Sequence, residues 1–258
     1  MPAALITGAS TGIGRELTYI AAENGYDVAL VARSAGPLEA VGLDVERKTS
    51  RKAYIFPADL SEPNAARSLI AEIAQAGLTI DVLINNAGFG LVGKFWELPE
   101  DQQMQMIQLN IGALTQLSRL YLPDMMERRT GWILNIASTA AFVPGPLMSV
   151  YFATKAYVVS FSEALHNEAK GSGVKVCCLC PGATRTEFDK RAGMTNSKLF
   201  EGPNVMNAAE VAQIGWNALR EGKPLVVAGG MNAAMAFLTR FAPRQLAANM
   251  ARSLQEAK

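Results

Sequence analysis

The 258-residue chain predicts an α/β fold: a doubly wound, mostly parallel seven-stranded sheet with helices on both faces. Three observations predict it. Short, nearly continuous apolar runs alternate with longer amphipathic segments, as strands do when crossover helices bury them on both sides. The first apolar run passes directly into a glycine-rich turn and a helix start, the local order of a phosphate-binding βα unit. No internal repeat or linker-like stretch interrupts the alternation, so one domain over residues 1–258 is the economical reading.

Taken in order, the strand-like runs are Ala3–Thr7, Val28–Ala32, Ala53–Pro57, Val82–Ile84, Trp132–Ala137, Val174–Cys180 and Leu225–Ala228. Helical segments fall near Gly14–Asn24, Pro37–Thr49, Pro63–Ala76, Pro99–Glu127, Val150–Lys170 and Ala208–Glu221. Half of the residues are apolar and the net charge is +1, enough for an ample core and no electrostatic footprint for nucleic acid. No apolar run approaches the ~20 residues of a membrane span. The first residues, Met-Pro-Ala-Ala-Leu-Ile-Thr-Gly, lack a basic region before their apolar stretch and do not read as a signal peptide. Cys177, Cys178 and Cys180 crowd one strand without His or acidic neighbours. They read as small core residues of a cytoplasmic protein, not as a disulfide or metal site.

Two stretches carry chemistry. In Thr7-Gly8-Ala9-Ser10-Thr11-Gly12-Ile13-Gly14 the glycines let backbone approach a pyrophosphate. The helix start behind them offers free N–H groups and a positive dipole end. In Ser149-Val-Tyr-Phe-Ala-Thr-Lys155, Tyr151 and Lys155 are four apart on a helix and share a face. A free phenol has a pKa of about 10. A neighbouring ammonium lowers it, making a general acid or base for neutral pH.

With Asp59-Leu60, Asn85-Asn86-Ala87-Gly88, Asn110, Ser138 and Pro181-Gly182 standing in the same order, the chain resembles a single-domain short-chain dehydrogenase/reductase. The likeness covers roughly residues 3–190 and the last strand. It implies a Rossmann fold whose phosphate loop is Gly8, Ser10, Thr11, Gly12, Ile13 and Gly14. Asp59 then bonds the adenine amino group beside Leu60, while Asn86, Ala87 and Gly88 permit close approach to cofactor ribose. The Asn86 side chain can equally brace neighbouring strands. Pro181, Gly182, Thr184 and Thr186 grip the carboxamide and phosphates. Ser138 positions the substrate oxygen or caps a turn, Lys155 binds the nicotinamide ribose, and Asn110 holds a relay water or marks a helix kink. The implied reaction is hydride transfer to a ketone or aldehyde carbon, with Tyr151 delivering the proton and no metal. His166, three turns beyond Lys155, reads as a surface or interface residue.

Charge selects the cofactor. The second strand ends Val31-Ala32-Arg33-Ser34, without the acid that would bind ribose hydroxyls, and Arg15 is expected to reach the same region. A guanidinium pairs two-pronged with phosphate, so NADP(H) is expected over NAD(H).

By the same resemblance residues 187–206 form a substrate lid. Phe188, Met194, Leu199, Phe200 and Met206 then line an apolar pocket with Phe89, Leu91, Phe142 and Val143, or pack the lid onto its own domain. Residues 231–258 add a helical extension, one helix or two broken at Pro243, that covers the pocket, packs on a partner subunit or touches a membrane surface. Packing on protein is the favoured reading. Arg128 and Arg129 read as a solvated helix end or a contact for an acidic carrier protein. The reading is a small-molecule carbonyl reductase acting as a homodimer or homotetramer. Reduction of 3-oxoacyl thioesters and a non-catalytic NADP-binding regulator are the alternatives.

Overall fold

Strand β1 (Ala3–Thr7) is buried at every position because it lies between two others, β2 (Asp27–Ala32) and β4 (Ile80–Asn85). The structure, a computed structural model, describes residues 1–188 and 205–255. Beyond β2 lies β3 (Ala53–Pro57), and beyond β4 lie β5 (Gly131–Ile136), β6 (Val174–Cys180) and β9 (Leu225–Val227). The order β3-β2-β1-β4-β5-β6-β9 is parallel throughout. The expected seven-stranded sheet is therefore present, with its ends shifted by a few residues. The two-residue strands β7 (Thr184–Arg185) and β8 (Met206–Asn207) pair separately.

Helices α1 (Gly12–Glu23), α2 (Ala35–Thr49) and α7 (Ala208–Glu221) cover one face, burying Leu17, Leu38, Val45 and Trp216. On the other face α3 (Ala65–Gln75), α5 (Leu114–Arg128) and α6 (Ser149–Glu168) bury Leu69, Leu117 and Leu165. The chain crosses from one half to the other between β1 and β4. Such a topological switch opens a crevice at the carboxyl ends of the strands. Two further helices, α8 (Gly230–Leu238) and α9 (Arg244–Gln255), are separated at Pro243 as expected. No helix among the described residues is long and apolar enough to cross a membrane.

Three expectations need correction. The single helix expected over Pro99–Glu127 is α4 (Glu100–Ile107), a π-helical stretch at Gln108–Ala113, and α5. His166 is half-buried, with Nδ1 2.9 Å from the Val176 carbonyl, because its side of α6 lies on β6. Arg128 is not a free helix end. Its guanidinium pairs with Asp81 at 2.8 Å and Asp124 at 2.9 Å and donates to the Ile80 carbonyl, tying α5 to the start of β4. Arg129 donates to the Gly171 carbonyl at 3.3 Å.

A buried amide network joins the sheet to α5 and α6. Asn85 donates to Asn135 Oδ1 at 2.9 Å and Ser118 Oγ at 3.1 Å, and Asn135 donates to Ser162 Oγ at 2.9 Å. Asn135 is fully buried, so Asn135→Leu strands polar partners in a low-dielectric interior. It is expected to destabilise the protein by about 2 kcal/mol, read as a lower unfolding midpoint in urea. An unchanged midpoint refutes that role.

Candidate active site

The crevice is a cavity of about 1180 Å³ walled by the loops that follow β1, β2, β3, β4, β5 and β6. Gly14 admits no side chain, since a Cβ there would run into the Gly8 carbonyl and the Asn86 amide. Close packing at this corner sets the α1 N-terminus against the cavity. Thr11, the residue before α1, makes no side-chain cap bond, so first-turn N–H groups are left for a ligand. Gly8, Ser10, Thr11, Gly12 and Ile13 lie on the wall.

At the end of β2, Arg33 and Ser34 also line the cavity. Arg15 does not. It points outward from α1 and pairs with Glu16 at 2.8 Å, because the position after Gly14 falls on the exposed side of the helix. Asp59 and Leu60 line the cavity next to Ser34, and Asp59 Oδ1 accepts from the Ser61 amide and hydroxyl at 2.9 and 2.6 Å. Asn86 braces the strand ends, donating to the Thr7 and Gly8 carbonyls at 2.9 and 3.2 Å, and with Ala87 and Gly88 it reaches the wall. Pro181, Gly182, Thr184 and Thr186 complete the opposite side.

The four chemical residues converge from three elements. Ser138 follows β5 by two residues and has two neighbours. Its Oγ accepts the Ala140 N–H at 3.1 Å, capping a 3-10 turn at Thr139–Phe142, and its hydroxyl stands close enough to the Tyr151 phenol to pull its titration downward. Lys155 is buried one turn after Tyr151 on α6, and its Nζ donates to the Ile136 carbonyl at 2.9 Å. Asn110 occupies the π-helical stretch. Its Oδ1 accepts from the Phe89 N–H at 3.2 Å, and its Nδ2 donates to the Phe89 carbonyl and Thr154 Oγ1, each at 3.0 Å. The helix widens where this side chain turns inward, and such stretches mark functional positions. A Cβ on Gly88 would lie 3.0 Å from Asn110 Oδ1 and 3.4 Å from Lys155 Nζ, so a small residue keeps both groups at the cavity.

The electrostatics correct one inference. A lowered Tyr151 phenol was expected from its neighbouring lysine. Burial instead pushes it up to about 12, against the opposing pull of the Ser138 hydroxyl. Lys155 stands 5.8 Å from the Tyr151 ring centroid with its ammonium on a backbone carbonyl, and burial brings it down to about 8. Desolvation is the largest cause of both shifts.

Beyond these groups the wall is mostly apolar, including Phe89, Leu91, Phe142, Val143 and Phe188. Met206 is not on it, since β8 turns that side chain into the core beside α7. Met194, Leu199 and Phe200, with most of the expected lid, lie outside the described residues. Sequence reasoning missed Thr154, the partner of Asn110, and Gln102 and Gln105 on α4, whose three-residue spacing was the available signal.

The donor set fits a dinucleotide: uncapped N–H groups at α1, a cation instead of an acid after β2, and small residues after β4. A short chain dehydrogenase family profile matches residues 2–197. The chain belongs to the short-chain dehydrogenase family. The chain is 37% identical over 190 residues to human 17-beta-hydroxysteroid dehydrogenase type 3, covering 72% of this chain and 60% of that protein. It is 36% identical over 191 residues to a very-long-chain 3-oxoacyl-CoA reductase of Anas platyrhynchos, covering 72% and 61%. The aligned part thus spans about 60% of the length of these curated relatives. Among solved structures it resembles a short-chain dehydrogenase from Sphingobium yanoikuyae in complex with NADPH, at 33% identity and TM-score 0.83 over 95% and 94% of the two chains. Its seven-stranded parallel sheet is of the Rossmann type.

Proposed function

We propose that this protein reduces an apolar ketone or aldehyde with NADPH, Tyr151 acting as proton donor. One observation carries the reading: the Tyr151 phenol, the Ser138 hydroxyl and Lys155 lie together on the wall of a cavity whose remaining surface is mostly apolar. When bound, the reduced nicotinamide supplies a hydride to the carbonyl carbon. Tyr151 gives its proton to the developing alkoxide, and the Ser138 hydroxyl steadies that oxygen. Lys155 offers the only buried cation beside the phenol among the described residues, balancing charge as the proton leaves. Arg33 meets the 2′-phosphate. The NADPH held by the Sphingobium enzyme supports the choice of cofactor. The steroid and the very long acyl chain in the relatives' names support a bulky apolar substrate. The homo-oligomer and the cytoplasmic setting expected from the sequence belong to the same proposal.

A 3-oxoacyl thioester substrate is the second reading, favoured by the likeness to the Anas enzyme. Contact with an acidic carrier through Arg128 is not part of it, because that guanidinium is held by Asp81 and Asp124. The test follows NADPH absorbance with apolar ketones, aldehydes and 3-oxoacyl thioesters. Consumption with a ketone or aldehyde supports the first reading, and consumption with thioesters alone the second. Tight NADPH binding without turnover on any of them favours the regulator.

The reaction has a pH signature. Reduction needs both Tyr151 and Lys155 protonated, and Lys155, held near 8, is the first to lose its proton as pH rises. The reduction rate is expected to be level below about pH 8 and to fall above it, approaching tenfold per pH unit. A kcat profile that stays level to pH 10 removes the Lys155 charge from the mechanism.

A further inference from the structure

Helices α8 and α9 lie beyond the residues matched by the family profile, yet they wall the cavity. Met231, Met235 and Leu238 come from α8, and Ala247, Met250 and Ala251 from α9. Ala247, Ala251 and Gln255 recur at four-residue spacing and share one face of α9. All three are buried, at 8%, 7% and 8% exposure. Ala251 packs in one apolar cluster with Met148, Tyr151 and Phe152. A face that seals an apolar cavity should end in an apolar residue. This one ends in Gln255, which lines the same cavity and whose Oε1 is buried with no hydrogen-bond partner among the described residues. Buried carboxamide oxygens are normally satisfied, and one left open on a ligand cavity points to a group the ligand brings.

We infer that Gln255 is a substrate-binding residue whose Oε1 accepts a hydrogen bond from a hydroxyl on the substrate, away from the carbonyl that is reduced. The inference rests on the reductase reading and narrows its substrate class to apolar ketones that carry a second, hydroxyl-bearing end. Geometry orders the two ends. Gln255 lies one turn, about 6 Å of helix rise, from Ala251, which packs in the Tyr151 cluster. Tyr151 and Ser138 take the reacting oxygen, and Gln255 takes the remote hydroxyl. Ala247 and Ala251, having only methyl side chains, leave space for the carbon skeleton between. A carboxamide oxygen has lone pairs and no proton, so the substrate must supply the donor.

The test uses the full chain with NADPH and pairs of apolar ketones that differ only by a terminal hydroxyl. Wild type is expected to favour the hydroxyketone by roughly 10- to 100-fold in kcat/KM. Gln255→Met, similar in length but without a strong acceptor, should bring that ratio near one. Gln255→Glu, which keeps an acceptor oxygen in place, should hold it well above one. Circular dichroism melts verify that both variants fold. Equal ratios in all three proteins overturn the inference. If the Met variant does not fold, calorimetric affinities of wild type for the two ketones decide, and equal affinities overturn it. Wild type that reduces both ketones equally well refutes the Gln255 role and leaves the reductase reading intact. Wild type that binds the hydroxyketone more tightly yet reduces neither refutes the reductase reading and leaves the role of Gln255 standing.

Discussion

Tyr151→Phe is expected to lower ketone reduction by about 10²- to 10⁴-fold while NADPH affinity stays within about twofold. The substitution removes one oxygen and keeps the ring, which contacts Phe152 and Phe188 with centroids 6.1 and 5.4 Å away. What is lost is the proton that the developing alkoxide needs. Because the phenol is buried at 8% exposure, water has little access to take over its role. Steady-state rates and NADPH titration by fluorescence check the two halves separately. A variant retaining most of its turnover would mean that another group supplies the proton. A variant that lost NADPH binding as well would point to a structural role for the hydroxyl.

Arg33→Asp is expected to weaken NADPH binding by roughly 100-fold and NADH binding by severalfold at most. A charge-assisted hydrogen bond contributes about 1.5–3 kcal/mol, or roughly 10- to 150-fold in affinity, and the new carboxylate adds repulsion toward a 2′-phosphate. NADH lacks that phosphate, and an acid after β2 suits ribose hydroxyls. The variant should therefore move the NADPH/NADH preference by about two orders of magnitude. Among the described residues Arg33 is the one arginine on the cavity wall, since Arg15 is directed outward onto Glu16. Equal losses for both cofactors would assign Arg33 to general packing at the strand end.

Much of this was legible along the chain because it depends on local order. The alternation of apolar runs and amphipathic segments identified the seven strands, since a parallel sheet covered on both sides leaves its strands no polar face. Gly-x-x-x-Gly-x-Gly after β1 located the α1 N-terminus, and four-residue spacing put Tyr151 and Lys155 on one side of α6. The π-helical stretch was not legible in the same way. Pro99–Glu127 has helical periodicity throughout, and the widening at Asn110 depends on Phe89, a backbone partner 21 residues away. Arg15 and Arg33 looked interchangeable in sequence, and only the turn of α1 separated them.

The sequence by itself determined the sheet, the glycine-rich loop before α1 and the residues that meet at the strand ends, because those follow from spacing within single elements. Tertiary structure alone decided the sign of the Tyr151 shift, the pairing of Arg128 with Asp81, and the placing of Gln255 on the cavity wall. Each depends on how completely water is excluded and on which distant segments are brought together. Those quantities belong to the packed chain and not to any stretch of it. For Tyr151 and Lys155, four-residue spacing made them neighbours, and burial then set one near 12 and the other near 8.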